Sequence, residues 1–371
     1  MLQVEADQLQ TYLGAPWCLG RVAEFYPRIE NGERFAHKIT LLDHDYVIWA
    51  DPETNEVYAF DNVCPHAGAS LGNGGYLTTR SFTVPNQSES VTRECLACPY
   101  HGHQVQFLKD GRAIVNEKAT AKPLQAKLEI TVRDGLVWTY GLHWQKIDGR
   151  WVAQQITPKL PIPDYSHVFT RDGTVPVDIA TLQHISTQER SVETNILHFV
   201  LNLHDAQHFA EVHKDTMLSQ EVAVRNFHRK DNSLRWQLVL EKRRDKAAKR
   251  SPYAMMVKDH DDGTYFNTYL PGFAITAYDF APGQNKIVYD VISIYPESKT
   301  RTHLKLTNFR NFDLPWYFNF LGGPKRVNQF RLDLVSEDVR NLEHISDDYE
   351  RKINLEHDEP VVEALKYLQS W

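Results

Sequence analysis

The chain has 371 residues, 42% of them hydrophobic and 24% charged, with a net charge of −7 at pH 7. That length suggests about two or three domains, and the composition is that of a folded globular protein rather than a disordered one. Four cysteines exclude a disulfide scaffold, and the negative balance argues against a nucleic-acid surface as the main business.

The N-terminus, MLQVEADQLQTYLGAPW, has no basic start, no apolar core and no small-residue cleavage site, so it does not read as a secretory signal. No window approaches the ~18 uninterrupted apolar residues of a membrane helix. A soluble, cytoplasmic protein without a membrane span is the expectation.

Residues 7–24 read as a short helix and an entry segment, and residues 1–35 as an N-terminal piece packing with the catalytic domain. From Ala36 onward the pattern is one of short strands: His37–Ala50, Glu56–Phe60, then Leu128–Val132 and Leu136–Tyr140. The last two flank Arg133-Asp134-Gly135, a hairpin signal because Gly supplies positive φ in the turn. Residues 36–145 are expected to form a small all-β domain. Leu71–Glu94 within it is polar and turn-rich and reads as an extended surface loop. Pro158–Asp164 reads as a linker or an extended crossing. Residues 146–371 read as a larger mixed domain, with Asn195–His213 helical and strands at Ser233–Leu240, Tyr265–Leu270, Ile287–Ile294 and His303–Asn308. Helices are expected over Arg326–Glu350 and Val361–Trp371. The class is α+β, an antiparallel sheet covered by helices.

Two short Cys/His pairs stand far apart: Cys64-Pro65-His66 and Cys98-Pro99-Tyr100-His101. Two thiolates suit one iron of a [2Fe–2S] cluster and two neutral imidazoles the other, which raises the potential above that of an all-Cys cluster. Other readings compete. Four Cys/His donors could hold a structural zinc. Cys95-Leu96-Ala97-Cys98 could be a redox or zinc CxxC, or the cysteines could be plain core residues. The zinc reading suffers from a Cys-x-His spacing tighter than the usual knuckles.

Residues 202–213 pack three histidines and an acid into one helix-like stretch: Asn202, His204, Asp205, His208 and His213. His204 and His208 are i, i+4, the usual spacing for two ligands on one helix. His208 and His213 are i, i+5, about 140° apart on an ideal helix, so they need a bend or a helix end between them. Geometry alone favours His204 with His208.

Cys64-x-His66 with Cys98-x-x-His101, inside Asn62-Val63-Cys64-Pro65-His66-Ala67-Gly68 and Cys98-Pro99-Tyr100-His101-Gly102, resembles the Rieske motif. Asn202-x-x-Asp205-x-x-His208-x-x-x-x-His213 resembles the mononuclear-iron motif of the Rieske non-haem iron oxygenases. Two departures are visible. The gap between His66 and Cys98 holds 31 residues, longer than is usual in the family, and His103 stands where the family often has Trp. The resemblance makes Cys64, His66, Cys98 and His101 the cluster ligands and His208 and His213 ligands of a second iron, with His204 the competitor. Cys18 and Cys95 are left as bystanders.

Two histidines and one carboxylate, with open positions for dioxygen, mark non-haem Fe(II) oxygenases. A carboxylate on an apolar row of the C-terminal helix is the natural third ligand, because its burial is costly unless paired or metal-bound. Asp338 has Leu334, Val335, Asn341 and Leu342 at i±3 and i±4; Asp333, Glu337 and Glu343 face more polar neighbours. The segment from Glu337 to Glu343 also resembles the family's segment for this ligand.

The resemblance covers essentially the whole chain and implies a terminal oxygenase component, the alpha subunit. It implies a ferredoxin or reductase as electron donor, drawing on NAD(P)H through a separate protein, since no G-x-G-x-x-G dinucleotide fingerprint occurs here. It implies a head-to-tail homotrimer in which Asp205 links His208 to His101 of a neighbouring copy. The expected reaction, on a small organic substrate with O2, is hydroxylation, dealkylation or desaturation, with monooxygenation preferred. Aromatic cis-dihydroxylation is one alternative; a pure Rieske electron-transfer protein with a non-catalytic second domain is another.

Overall fold

A computed structural model of the chain describes residues 2–4, 12–85, 89–243, 245, 251, 260–281, 283–313, 323–345, 349–351 and 355–370. The chain divides into two compact units, Leu13–Pro161 and Met1–Tyr12 with Ile162–Trp371. No helix among the described residues is long and apolar enough to cross a membrane.

The Leu13–Pro161 unit is built almost wholly of strands. His37–Leu41, His44–Ala50 and Val57–Asp61 form an antiparallel sheet. The single run expected over His37–Ala50 folds back at Leu42-Asp43, both with positive φ, as a two-residue hairpin turn requires. Asp134-Gly135 makes the expected turn between Thr131–Arg133 and Leu136–Thr139. Residues 13–35 belong to this unit, whereas residues 1–35 had been expected to pack with the catalytic domain. The cause is strand pairing: Trp17–Arg21 pairs with Leu136–Thr139, and Glu33–Phe35 with Tyr76–Thr83. Within the short helix and entry segment expected over 7–24, the chain forms a strand, Trp17–Arg21, followed by a 3-10 turn at Val22–Phe25; residues 5–11 lie outside the described residues.

The long loop expected over Leu71–Glu94 is instead mostly a hairpin. Tyr76–Thr83 and Ser90–Ala97 pair antiparallel from Tyr76↔Ala97 to Thr83↔Ser90. Polarity misleads here because threonine is both polar and β-branched. Leu77 and Phe82 are both buried, on opposite faces and in separate clusters, while Ser81 and Thr92 bond across the strand pair at 2.7 Å.

In the larger unit, seven strands form one antiparallel sheet. Their order is Gln183–Val192, Arg301–Arg310, Lys286–Ser298, Phe273–Ala281, His260–Tyr269, Ser233–Lys242 and Ser219–Lys230. The four strands expected here are all present, each longer than expected; the strands at Gln183, Ser219 and Phe273 were not anticipated. Four helices accompany the sheet among the described residues: α1 (Ile196–His204), α2 (His208–Glu211), α3 (Gly323–Leu342) and α4 (Glu359–Gln369). The helix expected over Asn195–His213 is two, α1 and α2, separated at Asp205, whose backbone is extended (φ −81°, ψ 103°). α3 ends at Leu342 rather than Glu350, which lies in a short strand, Tyr349–Arg351. A mostly antiparallel β architecture with a few helices agrees with the expected α+β class.

Candidate metal centres

The first Cys/His pair sits on a tight loop after Val57–Asp61. Gly68 N–H donates to Cys64 O at 2.9 Å with φ +74°, and Cys64 N–H to Ala69 O at 2.8 Å. Buried Asn62 pins the base, accepting from Gly72 N at 2.6 Å and donating to Ser70 Oγ at 2.9 Å. The second pair follows Ser90–Ala97 and turns back into Val105–Phe107, with Cys98 N–H on Val105 O and Val105 N–H on His101 O. A side chain at Gly102 would collide with the Tyr76 hydroxyl.

These loops bring the four donors together in two pairs. Cys64 and Cys98 are 1% and 0% exposed, packed with Trp49, Phe60, Leu96 and Phe107. Burial pushes the Cys64 thiol up, the His66 N–H opposes this, and Cys98 within hydrogen-bond reach pushes it further up. The imidazoles stand at the outer tip, His66 exposed and His101 half-buried, with their Nδ1 atoms 3.1 Å apart. Among the described residues, no three of these four donors gather within 4.8 Å of one another. A single tetrahedral ion needs such a gathering. A thiol pair and an imidazole pair suit a two-iron cluster.

Cys95 lies apart, packed with Phe82, Leu108 and Ile114, its thiol on Thr78 O at 3.5 Å and pushed up to about 11 by burial. His103 is exposed and pairs with Arg80.

The second centre forms in the larger unit. Donor atoms of His208, His213 and Asp338 all lie within 4.8 Å of one another. Asp338 Oδ1 is 3.1 Å from His213 Nε2 and 3.6 Å from His208 Nε2. The break after α1 makes this possible. α2 then closes with a widened turn, in which Val212 N–H and His213 N–H both reach His208 O, at 2.7 and 3.4 Å. An i, i+5 bond of that kind swings His213 round beside His208.

The other ring nitrogens are held from behind. His208 Nδ1 donates to the main-chain carbonyl of Asp205, and His213 Nδ1 pairs with Glu337 Oε2 at 2.9 Å. The Asp205 carboxylate had been expected to take His208; it accepts from Gln207 N at 2.9 Å instead. Glu337 also accepts from Thr216 Oγ1 at 2.6 Å, and Asn202 Nδ2 donates to Asp338 at 3.0 Å. Backing groups of this kind fix tautomer and ring orientation in metal sites. Glu337 and Thr216 were missed in the sequence; the only available signal was a second acid beside Asp338.

Burial pulls His208 down. Burial also opposes charge on His213, but hydrogen bonds to Asp338 and Glu337 outweigh it and raise the group to about 9. Burial pushes Asp338 up, and His213, His208 and Asn202 more than reverse this. Two Nε2 atoms and a carboxylate thus converge on one point. That donor set fits a divalent iron.

His204 is not in this group. It is 1% exposed, with Nδ1 on Val200 O at 2.6 Å and Nε2 on Thr268 Oγ1 at 2.8 Å, and burial pulls it down to about 4. His204→Ala is expected to keep its iron while losing about 2–4 kcal/mol of stability in denaturant unfolding. Loss of iron in that variant, with iron retained in His213→Ala, would reverse the assignment.

A cavity of about 100 Å3 adjoins the triad, walled by Phe199, Leu203, Ile294, Leu304, Leu334 and Val335. Its polar members include Thr276, Tyr278, Asp290 and Arg331. Burial pushes the Asp290 carboxyl up, and Arg331, Asn308 and Tyr278 pull the other way.

A Rieske [2Fe–2S] domain model matches residues 22–129, and a model of the vanillate O-demethylase oxygenase C-terminal domain matches residues 192–371. Cholesterol 7-desaturase nvd of Hemicentrotus pulcherrimus is 28% identical over 127 residues, 32% of this chain and 23% of that protein. The match thus spans less than a quarter of that curated relative. Among solved structures, dicamba monooxygenase bound to dicamba superposes with a TM-score of 0.65 at 17% identity, covering 97% of this chain and 98% of that one. NdmA of Pseudomonas putida CBB5 with caffeine gives 0.59 at 16% identity, covering 98% and 92%. Both share the fold.

Proposed function

We propose, for a chain that belongs to the Rieske non-haem iron oxygenases as a terminal oxygenase component, that it uses O2 to hydroxylate, dealkylate or desaturate one carbon centre of a small organic substrate, with monooxygenation preferred. The observation that carries this is the grouping of His208, His213 and Asp338 beside an apolar cavity. When bound, the Rieske cluster supplies single electrons and the mononuclear Fe(II) activates dioxygen.

The chain's own residues do the rest. Cys64 and Cys98 would hold the buried end of the cluster, and His66 and His101 the outer end. His208, His213 and Asp338 would hold the second iron by one face, leaving the cavity side open. Glu337 and Asp205 fix the two imidazoles through Nδ1, so that Nε2 points inward. Phe199, Leu203, Leu334 and Val335 keep water from the open side. The main-chain carbonyl of Asp205 holds His208, and its carboxylate is the group that would reach His101 of a neighbouring copy in a trimer. The electrons would come from NAD(P)H through a separate ferredoxin or reductase. The small size of the cavity beside the triad favours one-carbon monooxygenation over ring dihydroxylation. The alpha-subunit division would follow the compact units, with the cluster in one and the second iron in the other.

Metal analysis and oxygen uptake test this together. The full chain should carry three irons, two in the cluster and one in the triad, and consume O2 with a generic reductase and a substrate. Two irons and no uptake would point to an electron carrier. Asp205→Ala should keep all three irons and the cluster spectrum while uptake falls by about a hundredfold. Full activity in that variant would refute the bridge. Product identification separates one inserted oxygen atom from two.

A further inference from the structure

One row of polar side chains reaches the cavity wall at Asp290 and Thr276 and is not used by the triad. Ser186, Asn308, Asp290 and Thr276 stand opposite one another on four adjacent strands. Ser186 Oγ donates to Asn308 Oδ1 at 2.8 Å, and the Asn308 amide donates to Asp290 Oδ1. Asp290 Oδ2 is 2.9 Å from Arg331 Nη2, and Arg331 Nη1 donates to Tyr278 Oη at 3.2 Å. The Arg331 guanidinium also lies 4.6 Å from the centre of the Tyr278 ring. Thr276 is 1% exposed, and its hydroxyl has no partner among the described residues. A buried hydroxyl without a partner is costly, so it points to a ligand group that completes it.

The distance of this row from the metal end can be read from α3. Arg331, Leu334, Val335 and Asp338 are i, i+3, i+4 and i+7, so they share one face, and seven residues of helix span about 10 Å. α3 runs along the strands: Gln188 Nε2 donates to Asn328 O at 3.1 Å, and Arg190 Nη1 to Ser336 Oγ at 3.5 Å. Ser186 and Asp290 therefore lie toward the start of α3, and Ile294 and Leu304 toward Asp338. The cavity has a metal-ligating end, an apolar middle and a polar far end.

The charge of the far end selects the group it accepts. Arg331 is 8% exposed and already faces a carboxylate, Asp290, itself 2% exposed. An anionic substrate group would stand beside that carboxylate, and like charges in a dry site repel strongly. Arg331 still has N–H donors beyond those given to Asp290 and Tyr278. Thr276 Oγ1 can donate or accept.

We infer that Thr276, Tyr278 and the Arg331–Asp290 pair bind a neutral hydrogen-bonding group of the substrate, an amide, hydroxyl or keto function, about two helical turns from the reacting carbon. This rests on the reading of the cavity as the substrate site of the oxygenase. A carboxylate at that position is selected against.

The test is binding of a matched pair, 4-methoxybenzamide and 4-methoxybenzoate, to the iron-loaded full chain by calorimetry. Wild type should bind the amide about tenfold more tightly than the carboxylate. Asp290→Asn leaves Arg331 uncompensated and should reverse the preference. Thr276→Val, which keeps the shape of the side chain, should weaken the amide about fivefold and leave the carboxylate unchanged. Equal or tighter binding of the carboxylate by wild type overturns the inference. So does failure of both probes to bind at millimolar concentration, or an unchanged ratio in Thr276→Val should Asp290→Asn not fold. Iron content, measured on the same sample, separately decides whether the triad holds a metal. A chain with two irons that still prefers the amide would sink the oxygenase reading and keep the polar end.

Discussion

Asp338→Ala is expected to leave two irons per chain instead of three and to reduce oxygen uptake by more than a hundredfold. Both Nε2 atoms of the candidate centre face this one carboxylate, at 3.1 and 3.6 Å, so its removal takes an anion from the middle of the donor set. Loss of a merely backing group costs about 10–100-fold in metal affinity or activity, and loss of a direct ligand should exceed that. Glu337→Gln provides the comparison. It touches His213 only from behind, so it should keep the third iron with weakened affinity within that range. The alanine variant also leaves Asn202 Nδ2 without its partner, which adds about 1–3 kcal/mol of destabilisation. The cluster spectrum should be unchanged. Three irons retained in Asp338→Ala, by metal analysis on a folded sample, would remove Asp338 from the ligand set.

Cys98→Ser is expected to bleach the visible absorption completely, and Cys95→Ser to leave it intact. Only two residues, Leu96 and Ala97, separate the two cysteines, yet they face different cores. Cys98 sits among Trp49, Phe60, Leu71 and Phe107, beside Cys64. Cys95 belongs to the group of Phe82, Leu108 and Ile114 and gives its thiol to a backbone carbonyl. A serine hydroxyl is a poor substitute for a thiolate toward iron, whereas at position 95 it can still bond Thr78 O. The expected cost of Cys95→Ser is about 1 kcal/mol, a small polar change in a core. Absorption and iron content of the two purified variants decide the matter; bleaching in Cys95→Ser would place that thiol on the metal.

The loop tips bearing Cys64-x-His66 and Cys98-x-x-His101 are legible in the sequence because both motifs are short, and short loops place their donors by themselves. His208 and His213 are harder. Their spacing contradicts an ideal helix, and the fold resolves this with a helix break at Asp205 and a widened turn at Val212–His213 that no periodicity reveals. Asp338 is legible as an acid on an apolar row of α3. Glu337 is not, because its polar sequence neighbours hide the fact that it turns toward His213. The hairpin at Tyr76–Ala97 is hidden by its own threonines. The strands at Gln183–Val192 and Ser219–Lys230 are hidden because few of their residues are apolar and those few do not alternate along the strand. The polar row from Ser186 to Thr276 lies beyond sequence reasoning altogether, since it depends on the register of four strands.

The donors of the second centre come from chain segments far apart. His213 and Glu337 are separated by 124 residues, and Asn202 and Asp338 by 136. An ion shared by His208, His213 and Asp338 would therefore act as a cross-link, tying α2 to α3 across nearly all of the sheet's sequence. In the chain-entropy account, closing a loop of about 100 residues is worth of the order of 4–5 kcal/mol. The same three side chains would then serve as the clasp that keeps α3 against the sheet, and stripping the ion by a chelator would loosen α3 before it loosens the strands.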